Sequence, residues 1–142
     1  MSPTNQHILE YIQGYAKNKI ILHRDSFVGV NQVNVGIMLS NKIYVNKNNN
    51  RLPLIANSAI EEIFNDNISI NPNYGKCLFV SNIGILLETE LKLDLVKILE
   101  KYSSNHPLFI QWDGEIEDGY LYFLSREKGI KININELSHI TI

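Results

Sequence analysis

Hydrophobic residues recur at helical spacing in three parts of the chain. The spacing predicts helices over residues 4–17, 53–64 and 91–101, the first capped by Thr4 or Asn5 and the second with Pro53 in its first turn. The predicted inward-facing residues are, in chain order, Ile8, Leu9, Ile12 and Tyr15, then Leu54, Ala59, Ile60 and Ile63, then Leu93, Val96, Ile98 and Leu99.

Short apolar runs bounded by polar residues predict strands. They cover residues 19–23, 76–80, 107–112, 120–125 and 130–134, and we expect the last two to pair antiparallel. The segment "GVNQVNVGIMLSNKIYV" fits either an edge strand or the beginning of a helix, and residues 46–50 and 65–75 are predicted loops. Helices that alternate with strands indicate an α/β fold. We expect a single domain over residues 1–142, with a small, partly parallel sheet flanked by helices and antiparallel strands at the C-terminus.

The composition is that of an ordinary soluble protein. Hydrophobic residues make up 44%, charged residues 20%, and the net charge of −2 argues against a general polyanion binder. Cys77 has no second cysteine with which to form a disulfide, and its apolar neighbours indicate a core residue. The N-terminal residues do not follow the pattern of a signal peptide, and every apolar run is shorter than the roughly 18 residues of a membrane span. We therefore expect a cytoplasmic protein without membrane contact.

The sequence lacks the residues of a nucleotide hydrolase. The Gly75-Lys76 pair precedes a strand, whereas the lysine of a phosphate loop follows one, and Ile70 stands where the first glycine would be. After His23, about nine residues lead to the next predicted strand, which is too few for a phosphate loop and its helix. The strand "CLFV" is followed by "SNIG", residues 81–84, in place of acids that would hold magnesium and activate water. We expect no catalytic residue and no cofactor.

Asp113, Glu115, Glu117 and Asp118 form the densest group of charges. An EF-hand is excluded because Asp118 occupies the glycine position of that loop and Leu124 its last ligand position. The Asp-Gly pairs at both ends favour a solvated connection between two strands, with a partner-contacting surface as the alternative. The four histidines lack zinc-ligand spacing, so no metal site is predicted.

Tyr120 and Tyr122 fall on one face of their predicted strand. Such a pair is similar to the stacking residues of a nucleic-acid-binding sheet. Because few basic residues flank the pair, packing in the core or at an interface is favoured instead.

The segments "LFVSNIGILLETELKLD" and "FIQWDGEIEDGYLYFLS" carry a resemblance to a known family. The run of residues 78–125 resembles the C-terminal half of BrxF, the small P-loop protein of BREX phage-exclusion systems. In that family a strand ends in Asp-Asn-Ile-Glu, a Leu-Phe-x-x-x-Leu-Lys-Leu-Asp run and a helix follow, and a later strand ends in Trp-Pro-Gly before Leu-Thr-Tyr. "VNVGIMLS", residues 33–40, is similar to the segment after the family's phosphate-loop helix. The matching residues are Asn82, Ile83, Leu86, Leu87, Leu91, Lys92, Leu93, Asp94, Trp112, Gly114, Leu121 and Tyr122.

The chain departs from the family at the positions that carry its chemistry. The phosphate loop and its helix are absent, Ser81 and Gly84 replace the acids, and Asp113 replaces the proline. The resemblance therefore implies a degenerate P-loop-like fold in a relative that does not hydrolyse nucleotide.

The resemblance further implies a non-catalytic accessory or adaptor subunit of a prokaryotic anti-phage defence system. The subunit would bind a larger one, of ATPase or methyltransferase type, through an exposed surface at residues 112–119 or through the strand at residues 120–125 as a sheet edge. The residues expected to contact that partner are Trp112, Asp113, Glu115, Glu117, Asp118, Tyr120 and Tyr122.

Two alternatives belong to other functional classes. A small enzyme of unrecognised type would use His23 and the acids of residues 113–118. A DNA-binding or DNA-sensing module of a defence system would need a basic cluster on one face, drawn from Lys17, Lys19, Lys42, Lys47 and Arg51.

Overall fold

The computed structural model describes residues 3–46, 48–123 and 130–142. Within them the α-helices are α1 (Pro3–Gln13), α2 (Val35–Ile43), α3 (Leu52–Asp66) and α4 (Leu95–Ser103), and 3-10 turns cover Tyr44–Asn46, Ile83–Leu87 and Thr89–Leu91. The strands are β1 (Ile20–His23), β2 (Gln32–Asn34), β3 (Ser69–Asn71), β4 (Gly75–Ser81), β5 (Leu108–Gln111), β6 (Ile116–Glu117), β7 (Tyr120–Phe123), β8 (Ile130–Asn133) and β9 (His139–Thr141).

The strands form two sheets. The larger has the order β2-β4-β5-β1-β9, in which all neighbours are parallel, and β3 pairs antiparallel with the first half of β4. Strands β6, β7 and β8 form a separate antiparallel sheet, which we call the C-terminal sheet. The predicted α/β class, the partly parallel sheet and the antiparallel pairing near the C-terminus are confirmed.

Both faces of the parallel sheet are covered. Successive side chains of a strand point to opposite faces, so Leu22 and Ile110 join the larger core with α2, α3 and α4, while Ile21 and Phe109 join a smaller core with α1. Burial on both faces explains why these strands read as continuous apolar runs without alternation.

The connection from β1 to β2 crosses the sheet without a helix. Strands β4 and β5 lie between its two ends, and residues 24–31 pass over the α1 face to reach the far edge. There the ring centroid of Phe27 lies 5.5 Å from that of Phe79 and 5.4 Å from that of Phe109. The short connection predicted after His23 is confirmed.

Helix α1 is shorter than predicted. It ends at Gln13, and Lys19 Nζ donates to carbonyl oxygens at that end, at 3.1 Å from Tyr11 O and 2.8 Å from Gly14 O. Tyr15 lies beyond the helix and is fully exposed, so the prediction that it packs inward is wrong.

Two other helix predictions are corrected. Helix α4 begins at Leu95 because Lys92 adopts a left-handed φ of 50°, which interrupts the helix, and Asp94 Oδ1 then accepts the Lys97 N–H at 3.2 Å as an N-terminal cap. On α3, Leu54 is 68% exposed, and the prediction that it faces inward is wrong.

Short strands account for the remaining differences. The ambiguous segment at residues 29–45 contains both β2 and α2. Strands β3 and β9 were not predicted; each has three residues, too few for a periodic pattern. A turn leads from β3 into β4, in which Asn71 Oδ1 accepts the N–H groups of Asn73 at 2.8 Å and Tyr74 at 3.2 Å.

A two-residue turn joins β6 to β7 in the C-terminal sheet. Asp118 and Gly119 have φ values of 55° and 78°, as a type I′ hairpin turn requires. Leu121 and Ile132, on the inner face of this sheet, are buried in the larger core. The predicted Asp-Gly turn is confirmed, and the connection that contains it also supplies β6.

Candidate functional site

The carboxyl ends of the parallel strands meet at one edge of the sheet. There β1 ends at His23, β2 at Asn34, β4 at Ser81 and β5 at Gln111. In open α/β sheets, ligands bind in the crevice outside these ends. The residues that follow β4 and β5 therefore occupy the position where such folds bind their ligands.

A cavity of about 220 Å³ lies at the ends of β4 and β5, and we call it the edge cavity. One wall consists of residues that follow the two strands, and the opposite wall belongs to β7 of the C-terminal sheet. The lining residues are Asn82, Ile83, Gly84, Gln111, Trp112, Asp113, Gly114, Tyr122 and Phe123.

Asn82 is held by a small amide network. Asn34 Oδ1 accepts the backbone N–H of Ile37 at 3.0 Å, which caps α2, and it also accepts Asn82 Nδ2 at 3.0 Å. Asn82 itself has a left-handed φ of 54°. The end of β4 is thereby tied to the beginning of α2.

Gln111 ties β5 to the segment that follows β1. Its Nε2 donates to Arg24 O at 2.9 Å and to Ser26 Oγ at 3.1 Å. Arg24 Nη1 in turn donates to the backbone oxygen of Asp113 at 3.1 Å. These bonds fix the side chain of Gln111 at the margin of the edge cavity.

Two glycines allow the C-terminal sheet to lie against this edge. A Cβ on Gly84 would be 2.3 Å from Cε2 of Phe123, and a Cβ on Gly114 would be 2.0 Å from the backbone oxygen of Tyr122. Both distances are below any real carbon contact. An acid at residue 84, which a hydrolase would use, would therefore displace the Phe123 ring.

Trp112 lies in the wall of the edge cavity. It is 4% exposed, so the prediction that it belongs to an exposed docking surface is wrong. Its ring centroid is 6.4 Å from that of Phe123, and within the described residues its Nε1 has no hydrogen-bond partner. Trp112 is buried because it follows β5 directly and the C-terminal sheet covers it.

Tyr120 and Tyr122 lie on the outer face of the C-terminal sheet, with their ring centroids 6.4 Å apart. The prediction that they share a face is confirmed. Lys131 Nζ lies 5.0 Å from the centroid of the Tyr120 ring. However, β7 pairs with β6 on one side and β8 on the other, so the prediction that this strand is a free sheet edge is wrong. Leu124 and Ser125, predicted in the same strand, lie outside the described residues.

The predicted acidic group is exposed but divided. Asp113 lines the edge cavity, whereas Glu117 lies opposite Tyr120 in the β6–β7 pair and Asp118 forms the turn. Glu115 precedes β6, and its carbonyl oxygen accepts the backbone N–H of Tyr122 at 2.9 Å. In the described parts of the chain, no three His, Cys, Asp or Glu side chains converge on a possible metal site.

His23 is separated from these acids and is buried at the end of β1. It is 2% exposed, its Nδ1 lies 2.8 Å from the carbonyl oxygen of Asp25, and its ring meets that of Phe27 edge-on at 4.8 Å. A carbonyl oxygen only accepts, so in the neutral ring the proton is on Nδ1. Burial lowers the pKa of His23, and the carbonyl and charge of Asp25 oppose that effect less strongly.

The protein should lose stability as the pH falls below about 6.5, the ordinary value for histidine. Burial lowers the pKa of His23 and also of His106, so between that value and the folded-state pKa the unfolded chain binds more protons than the folded chain. The destabilisation then levels off below the folded-state pKa. Urea denaturation midpoints measured from pH 8 to pH 5 check this.

A variant with His23→Asn should show a weaker dependence of the midpoint on pH, because its side-chain amide can donate to Asp25 O without titrating. His7→Asn serves as the control, since His7 is exposed on α1. If the urea midpoint of the His23→Asn variant varied with pH as steeply as that of the native chain, His23 would not contribute to the pH dependence.

The basic residues of the DNA-binding alternative are distributed over both sides of the sheet. Lys42 and Arg51 line one groove between α2 and α3, and Lys42 Nζ lies 2.8 Å from Glu62 Oε1. Lys19 is bound to the end of α1, which packs on the opposite face. Lys47 lies outside the described residues. The basic surface that this alternative requires is therefore divided.

Sequence reasoning missed Asn82 and Gln111 as site residues. Gln111 belongs to no recognised motif, and Asn82 was named only as a match to the BrxF family and as part of the segment that lacks acids, without a role of its own. The available signal was their position, since each stands at or directly after the carboxyl end of a predicted parallel strand.

Comparison of the chain with models of protein families, with curated proteins and with solved structures finds no match. None of the helices in the described ranges has the length and apolar character that crossing a membrane would require.

Proposed function

We propose that this chain is a non-catalytic accessory subunit of a prokaryotic anti-phage defence system, which acts by binding a larger subunit of ATPase or methyltransferase type. The defence context rests on the resemblance of residues 78–125 to the BrxF family. The non-catalytic role is supported chiefly by one observation: the protein's own C-terminal sheet lies against the carboxyl edge of the parallel sheet.

The position of Phe123 carries this argument. A nucleotide hydrolase of the P-loop type needs a carboxylate after the strand that corresponds to β4 and a phosphate loop after the strand that corresponds to β1. Here the Phe123 ring lies against Gly84, where a carboxylate would stand, and residues 24–31 connect β1 to β2 without a helix. Calorimetry with ATP and magnesium provides a direct check, and tight binding would contradict the non-catalytic role.

The outer face of the C-terminal sheet is the surface that we assign to the partner. Tyr120 and Tyr122 are half-buried there, beside Lys131, and the exposed Glu117 and Asp118 adjoin them. Partly exposed tyrosines surrounded by polar groups are typical anchors of protein interfaces.

The double variant Tyr120→Thr/Tyr122→Thr should bind the partner roughly 30-fold more weakly than the native chain, as expected when aromatic anchors are removed. Threonine retains strand propensity, which keeps β7 paired. The measurement is co-purification of the tagged chain with the proteins of neighbouring genes, each co-expressed singly, followed by titration of whichever protein is retained.

Tyr15→Ala serves as the matched control because Tyr15 is fully exposed and lies beyond the end of α1. It should bind like the native chain. A native chain that remains a monomer and retains none of the co-expressed proteins would count against the proposed function.

A further inference from the structure

Two amides in the edge cavity are oriented by their hydrogen bonds. Asn34 Oδ1 is an acceptor because it caps the N–H of Ile37, so Asn82 must present its Nδ2 to it. Arg24 O can only accept, so Gln111 must present its Nε2. Gln111 uses both N–H donors of its amide and Asn82 uses one, and within the described residues the carbonyl oxygen of neither side chain accepts a hydrogen bond.

Asp113 adds a carboxylate to the same cavity. It is exposed, and Arg24 donates to its backbone oxygen. The ion pairs within the described residues join Lys42 to Glu62 and Lys101 to Glu61, so the carboxylate of Asp113 takes part in neither. The cavity lining therefore supplies two amide oxygens and one carboxylate as acceptors for a hydrogen-bond donor, and the Arg24 guanidinium bound to the backbone oxygen of Asp113 lies beside that carboxylate.

The aromatic rings of the cavity narrow the choice of ligand. Trp112 and Phe123 line it with their ring centroids 6.4 Å apart. A guanidinium is planar, carries five N–H donors and no acceptor, and stacks on aromatic faces more readily than an ammonium does. Magnesium and calcium also take amide and carboxylate oxygens, but calcium takes roughly six to eight of them, magnesium usually keeps several waters, and neither ion gains from aromatic walls.

We propose that the edge cavity binds a guanidinium group, supplied by an arginine side chain of the partner protein. This inference rests on the protein-binding function proposed above and adds a second contact to it, at the margin of the C-terminal sheet. Asn82, Gln111 and Asp113 accept the N–H donors, and the aromatic rings pack against the plane of the guanidinium.

The test uses the fluorescence of Trp112, the only tryptophan of the chain. Titration with N-acetyl-arginine amide should change its emission saturably, whereas N-acetyl-lysine amide should have little effect. In the Asp113→Asn variant, the affinity for the arginine amide should fall about tenfold, the usual effect of losing a charge-assisted hydrogen bond. Asp118→Asn removes an equal charge from the β6–β7 turn and should leave the affinity unchanged.

Three results would overturn the inference. They are no saturable change with the arginine amide, an equal change with the lysine amide, or a change produced by magnesium chloride that competes with arginine. The last would identify a divalent-cation site instead.

Different results would contradict the guanidinium site and the proposed protein-binding function. Suppose that a co-expressed partner binds the Asp113→Asn variant as tightly as the native chain, and that the arginine amide does not change the Trp112 emission. Then only the assignment of a guanidinium to the cavity is wrong. If the arginine amide binds but none of the co-expressed proteins is retained, the guanidinium site stands and the proposed function is contradicted.

Discussion

Replacing Gly114 by alanine should destabilise the protein by about 3 kcal/mol, the upper part of the range for overpacked positions. The added Cβ would lie 2.0 Å from the backbone oxygen of Tyr122 and 2.9 Å from Trp112 Nε1. A side chain could rotate away, but Tyr122 is held in the middle of the C-terminal sheet by Glu115 on one side and Lys131 on the other. The whole sheet would have to shift away from the carboxyl edge.

Urea denaturation followed by Trp112 emission measures this effect. Gly14→Ala is the matched control, because its Cβ would meet only the carbonyl oxygens of Glu10 and Tyr11 at 3.4 Å, an ordinary contact. We expect the control to unfold near the native midpoint. Equal midpoints for Gly114→Ala and the native chain would show that the C-terminal sheet does not lie against this edge.

The position of the C-terminal sheet is also the main feature that the sequence did not predict. The runs "YLYFLS" and "IKINI" predict two antiparallel strands, and the structure confirms their pairing. A period of two residues identifies the face that is buried but not the surface that buries it. Trp112 was expected at the surface as part of the docking surface that the resemblance implied, whereas β7 covers it.

Local signals were reliable where one segment determines its own structure. The Asp118-Gly119 turn needs only two residues with positive φ, and its own sequence predicts it. Strands β3 and β9, with three residues each, depend on β4 and β1 for all their pairing. These strands form only when the tertiary structure places them beside their partner strands, which composition and periodicity do not predict.

The site residues also divide into those that a single segment determines and those that depend on tertiary contacts. Tyr120 and Tyr122 were found because alternation places them on one face. Asn82 and Gln111 are ordinary amides in sequence, and they acquire a chemical role only when parallel strands bring their ends together. The orientation of each amide depends on a partner distant in the chain, Asn34 for Asn82 and Arg24 for Gln111.

The two faces of the parallel sheet differ in how they are covered. Among the described residues, three helices cover the larger core, while α1, residues 24–31 and Tyr74 cover the smaller one. The smaller core therefore relies on a few aromatic side chains. Phe109 lies among them: its ring stacks on Phe79 at 4.3 Å with an interplanar angle of 18° and lies 5.1 Å from Tyr74.

Phe109→Ala should destabilise the protein by about 3–5 kcal/mol, the range for truncating a buried phenylalanine. Phe109 is fully buried, and its loss would leave Phe27 and Phe79 facing a cavity beneath α1. A domain of this size is typically stable by about 5–15 kcal/mol, so the variant should remain folded only marginally. Urea denaturation gives the shift, with Val28→Ala as a control because Val28 is 99% exposed on the same crossing segment as Phe27. A shift for Phe109→Ala no larger than that of the control would mean that residues 24–31 and α1 do not close over this face.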